Sequence, residues 1–269
     1  MPYRRAHWWL IALALTIPLA FWPGYFSPTA RRTPALHAHA FAATLWLLLL
    51  IVQSWSASSR RLALHRASGR ALFAAVPMFA AAGAGVIITM ARGFADGGIP
   101  FYAENAARLV FADTVALVTF VILVAHAVAE RRRVRLHAAA MLSTPLLVLP
   151  PVAGRLMGFV PGYPLGGAFG VSGFVLSVYL ADLLTIAIAA WLWNADRRHG
   201  GAFVAVIVAS VIQALGFATV GGTDAWEQAT RATAALPIPP TAAVAAILAG
   251  AALWVSWGRP AAPARPAVG

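Results

Sequence analysis

The sequence predicts an all-α, polytopic transmembrane helical bundle of about eight spans, with both termini cytoplasmic. Three observations carry that expectation. The 269 residues are 61% hydrophobic and 10% charged, with a mean hydropathy of +0.78, whereas soluble domains carry about 25% charged residues. Apolar runs recur along the whole chain, and a helix needs roughly 20 mostly apolar residues to cross about 30 Å of hydrocarbon. The positive charge is all arginine and sits mostly in short connections between the runs, as a positive-inside topology requires.

The runs follow in order. The first, 8–22, comes after a basic start and has the look of a signal peptide, but no clean small-residue cleavage site precedes "FWPGYF". It is expected to be a retained first span. The second, 38–55, opens at His39 and closes at Gln53. The third, 71–91, contains "AAAGAGV", small residues that let helices approach closely. The fourth is 109–129. The fifth, 137–154, carries Pro145, Pro150 and Pro151, tolerated in a span where neighbouring helices satisfy the freed carbonyls. The sixth, seventh and eighth are 170–193, 202–219 and 238–257. Residues 1–257 are expected to form one integral membrane domain, and 258–269 a disordered cytoplasmic tail. The outer connections 23–37, 92–107, 155–169 and 220–237 are rich in glycine, proline and aromatics and read as tight interfacial loops. Trp8, Trp9, Trp22, Trp55, Trp193, Trp254 and Trp257 fall near the ends of spans, where amphipathic rings prefer to sit.

Orientation follows from the arginines. With the N-terminus inside, the inner segments hold fourteen (among them Arg60, Arg61, Arg66, Arg70, Arg131–Arg133, Arg135 and Arg265) and the outer segments six: Arg31, Arg32, Arg92, Arg108, Arg155 and Arg231. This predicts a multi-pass protein of the bacterial inner (cytoplasmic) membrane. The formal charge of +12 then reports topology, not a nucleic-acid partner. The bilayer is the expected partner, a small-molecule or redox partner stays open, and oligomeric state is not encoded legibly. The absence of cysteine excludes disulfides, thiolate metal sites and covalent haem attachment. No H-x-x-x-H, H-E-x-x-H or G-x-S-x-G pattern occurs, so no catalytic residue is assigned.

Polar residues within spans are costly in lipid and face the bundle interior or water. His37 and His39 point about 200° apart on a helix, so one site cannot use both. His39, Trp46 and Gln53 recur every seven residues and form one stripe, drifting only about 20° per step. His39 is therefore the inward candidate at the outer end and His37 interfacial. That stripe either lines a ligand path or lets His39 bond a neighbouring helix. His65, His126 and His137 are expected at one depth on the cytoplasmic side. Three imidazoles at one level could ligate a metal, or two of them a haem. Alternatively His65 and His137 bind lipid phosphates or cap helices among the arginines. Asp113 and Arg155 are expected to pair near the outer surface, with Arg155 on the face of His137 if the prolines do not rotate the helix. Asp182 falls mid-span with no obvious partner, either a protonatable coupling site or a hydrogen-bonded neutral acid.

Two frames carry a resemblance. One runs from His39 through Gln53 to "LHRASGRALFAAV", and the other is "RRRVRLHAAAMLSTPLLVLPPVAGRL". Together they resemble the bacterial "predicted membrane protein" families of unknown function, with an L-H-R-x-x-G-R signature and a later basic-H-x-x-x-M segment. The matching positions are His39, Gln53, His65, Arg66, Gly69, Arg70, His137, Met141 and Arg155, within residues 35–156. Ala138 and Ala139 stand where the second signature usually has a basic residue after its histidine. The resemblance implies the topology and marks residues; it implies no activity. Three functions remain: a protein binding haem b or a transition metal through His65, His126 and His137; a proton- or ion-coupled small-molecule transporter using Asp113 and Asp182; and a non-catalytic assembly or scaffold protein.

Overall fold

The computed structural model describes residues 3–30 and 32–259, so Arg31, Arg265 and residues 260–269 of the expected tail lie outside the described residues. The chain is an all-α polytopic bundle, with seven helical segments long and apolar enough to cross a membrane among the described residues. The first expected span differs. It forms α1 (Ala6–Ala20), only 15 residues, or about 22 Å of rise, followed by a π-helical turn at Trp22–Phe26.

Each long helix has a local reason to start or stop. Helix α2 (Pro34–Ser58) begins with proline in the first turn, and the Thr33 hydroxyl accepts the Leu36 amide, satisfying a donor the helix itself leaves unpaired. The short α3 (Leu62–Gly69) leads into α4 (Leu72–Asp96). Gly97 closes α4 with φ 63°, a left-handed cap that glycine adopts without steric penalty. Helix α5 (Pro100–Ala129) starts at a proline and runs 30 residues, so most of the loop expected at 92–107 is helical. A small separate core explains the extension: Ala106 and Ala107 pack on Phe94, with Tyr102 and Trp226 alongside.

The expected fifth span is a single crossing, Val134–Phe159, but not a regular helix. It comprises α6 (Val134–Ser143), a 3-10 stretch at Thr144–Val148 and α7 (Leu149–Leu156). Pro145 cannot donate to the helical ladder, and its ring crowds the carbonyl four residues back. The Thr144 and Ser143 hydroxyls donate instead to the carbonyls of Met141 and Ala139, both at 2.8 Å. Trp46 Nε1 on α2 donates to Thr144 Oγ1 at 3.1 Å, so the break is pinned from a neighbouring span. Helices α8 (Gly173–Ala195) and α9 (Gly201–Ala218) pack side by side, α10 (Asp224–Ala234) caps the end of α4, and α11 (Ile238–Gly258) lies along α4 and α5. The connection at 220–237 thus holds a helix where the sequence suggested a loop. Trp226 Nε1 donates to the Ala107 carbonyl at 2.8 Å and Arg231 stacks 4.6 Å from the Phe94 ring centre, which fastens α10 down.

The core gathers Trp46, Leu50, Val76, Leu123, Val124 and Phe203. Trp46 meets Phe120 edge-on at 5.0 Å, a favourable geometry for ring quadrupoles. Large apolar side chains such as Trp9, Ile247, Leu248 and Trp254 lie on the outside, the surface a lipid-facing bundle presents.

Candidate functional site

At the end of the bundle that carries Arg60, Arg66, Arg70 and Arg131, the foot of α2, helix α3, the starts of α4 and α6 and the end of α5 line a half-open cavity of about 600 Å³. That lies within the range of small-molecule sites. Gln53, His65, Arg66, Gly69, Arg70, His137 and Met141 all line it. Seven of the nine positions singled out from the two sequence frames therefore meet at one place, although the frames are some 70 residues apart. His39 and Arg155, the other two, lie toward the opposite end.

Helix α3 is clasped onto α2 reciprocally. The Gln53 amide donates to the His65 carbonyl at 3.1 Å and to Ser68 Oγ at 2.6 Å, while the His65 ring meets the Gln53 carbonyl through Nδ1 at 3.2 Å. Gly69 faces that side chain, and a Cβ there would sit in ordinary contact, 3.5 Å from the Gln53 amide. His137 makes the matching contact on the other wall, Nδ1 to the Ala127 carbonyl at 2.8 Å. Ala127 lies in the last turn of α5, where carbonyls lack helical partners. A carbonyl only accepts, so each ring donates from Nδ1, which in the neutral imidazole leaves the lone pair on Nε2. The two rings stand 6.4 Å apart, nearly perpendicular.

His126 does not join them. Leu123, Val124, Ala127 and Val128 face the core, whereas His126 continues the exposed stripe of Val118 and Ile122 on α5. The three histidines share a depth but not a face. Among the described residues no three histidine, aspartate or glutamate side chains form a metal-binding group.

The sequence did not reveal Tyr3, Arg131 or Trp257 as parts of this cavity. Arg131 lies 4.4 Å over the Trp257 ring and donates to the Val128 carbonyl at 3.1 Å. The Tyr3 hydroxyl is buried without a hydrogen-bond partner among the described residues. Burial, and then the nearby Asp196 carboxylate, push its phenol above the ordinary value, so it stays a donor at neutral pH. These three come from distant parts of the chain, and no local signal distinguishes Arg131 from Arg132 and Arg133.

The other interior residues are dispersed. Trp46 is buried and Gln53 half-buried, as the stripe from His39 requires. His39 Nδ1 is buried with no partner among the described residues, its ring 5.4 Å from Phe79, while exposed His37 meets the Tyr25 hydroxyl at 2.7 Å. Asp113 and Arg155 do not form the expected ion pair within 4 Å, although their charges act on each other through space. Arg155 instead donates to the Pro151 carbonyl at 2.8 Å and stacks 4.3 Å over Phe21. The proline break decides this, because it aims the α7 guanidinium at α1 and not at α5. Asp182 is buried on α8, on the face that also buries Ala181 and Thr185. Comparison with family models, with curated proteins and with solved structures gives no match.

Proposed function

We propose that this is a multi-pass protein of the bacterial inner membrane that holds haem b between His65 and His137, in a redox or cofactor-linked role. One observation carries the reading: each imidazole has its Nδ1 proton committed to a backbone carbonyl of a different span, which in the neutral ring leaves Nε2 as the nitrogen for a ligand. That is how proteins commonly orient a histidine ligand and fix its tautomer. A bare metal ion asks for a third or fourth protein donor, whereas a porphyrin brings four nitrogens of its own. Two histidines therefore fit haem better than a free transition metal. Leu49, Leu50, Phe73 and Met141 line the same cavity and offer apolar contact to a macrocycle. When bound, haem supplies one-electron chemistry. The backbone carbonyls of Gln53 and Ala127 would hold the two rings in register.

The test is an absorption spectrum of the purified protein, oxidised and reduced, after expression with ample haem. We expect a Soret band and reducible α and β bands that disappear in His65→Ala and in His137→Ala but persist in His126→Ala. A colourless protein would end the haem reading and turn attention to Asp113 and Asp182 as coupling groups of a carrier.

A further inference from the structure

The cavity has a second feature that the histidines do not explain. Arg66, Arg70 and Arg131 line it, and among the described residues no aspartate or glutamate does. The side chains of Arg66 and Arg70 make no ion pair and no hydrogen bond with any described residue. Arg131 spends one nitrogen on a backbone carbonyl and lies against Trp257, which leaves its remaining donors for other use. The first turn of α4, beginning at Leu72 beside Arg70, contains no acidic residue, and no side chain caps it. Tyr3 adds a buried hydroxyl without a partner. Thus cations and an orphan donor meet in one cavity whose apolar walls include Leu49, Leu50, Phe73 and Leu142.

We propose that Arg66, Arg70 and Arg131 form an anion-recognising rim that selects ligands with carboxylate or phosphate groups on an apolar body. The physical grounds are direct. Guanidinium forks bind carboxylate and phosphate through paired, charge-assisted hydrogen bonds. Like charges so grouped repel one another unless an anion lies among them. Apolar walls behind the rim take up the rest of an amphiphile. This deepens the haem reading, which rests on the same cavity: the rim would hold the porphyrin's carboxylates while the histidines reach its centre. The same chemistry is offered by the headgroup of an acidic phospholipid.

The experiment first compares ligands on the unaltered protein and then repeats the comparison on an arginine variant. Haemin and its dimethyl ester, identical except that the carboxylates are blocked, are titrated into haem-free protein in detergent. Retention of phosphatidylglycerol against phosphatidylcholine is followed by native mass spectrometry of the same preparation. We expect haemin to bind at least about tenfold more tightly than the ester, and Arg66→Gln/Arg70→Gln to remove that preference. If neither porphyrin binds but phosphatidylglycerol is retained selectively, and the arginine variant loses it, the rim stands with a phospholipid as its ligand and the haem reading falls. Equal binding of haemin and ester would overturn the rim and leave the histidine site standing. No binding of either porphyrin and no selectivity between the phospholipids would overturn both.

Discussion

At the scale of single residues, buried hydrogen bonds between spans decide which substitutions matter. Trp46 links α2 to the 3-10 break through Thr144. Trp46→Phe keeps most of the ring and loses only the donor, so thermal unfolding should show a loss of about 0.5–1.5 kcal/mol, and Trp46→Ala considerably more from the cavity it opens. Outside the membrane, Asp196 joins the start of α6 to the α8–α9 turn, with Arg135 at 3.4 Å and His199 at 2.9 Å. The hydrogen bond from His199, then Coulombic attraction from His199 and Arg135, hold its carboxyl below the ordinary carboxylate range. A depressed pKa contributes stability that is complete above the unfolded value, about 3.9, and is lost as pH falls through the folded value. Melting temperature should therefore drop on acidification below about pH 4 by less in Asp196→Asn than in the parent protein; equal drops would contradict this.

Helices meet here through small residues at chosen points. A Cβ built on Gly216 of α9 would overlap the Phe111 ring of α5, and one on Gly221 would meet the Arg108 backbone at 2.8 Å. Gly216→Ala should cost about 1–3 kcal/mol by overpacking, read as a lower melting temperature in detergent. Phe111→Leu in the same chain should recover most of it. At this scale the sequence was partly legible. Apolar run length located the long helices, and the seven-residue spacing correctly put Trp46 in the interior. It missed α10 and the first nine residues of α5, because "DAWEQATRATA" and "PFYAENAAR" are too polar to register as spans. Their helicity comes from docking on Phe94, a tertiary contact that no local pattern announces. The Asp113–Arg155 pair failed for a related reason: three prolines in one crossing rotate everything beyond them.

For the molecule as a whole, charge asymmetry is the testable property. The natural chain has no cysteine, so single introduced thiols report sidedness without background. Ser59→Cys on the arginine-rich side should react with a membrane-impermeant maleimide only after cells are permeabilised, and Gly98→Cys in intact cells; the reverse pattern would invert the orientation. The cavity was half legible. Its histidines, Gln53 and the signature arginines stood out as polar residues at the edges of apolar runs, but periodicity could not say that His126 turns outward on α5 while His65 and His137 turn inward. Only the way the helices are set beside one another decides that.

The Nδ1 contacts of the two histidines reach beyond ligand geometry. His65 on α3 is fastened to the main chain of α2 and His137 on α6 to that of α5, so a ligand that gripped both rings would rivet three transmembrane segments, α2, α5 and α6, and the short helix α3. Pulling on such a joint, whether by a change in the charge of what it holds or by its departure, loads the backbone directly, without slack from side-chain rotation. A ligand bound there as proposed would therefore be coupled to the backbone at the basic end of the bundle.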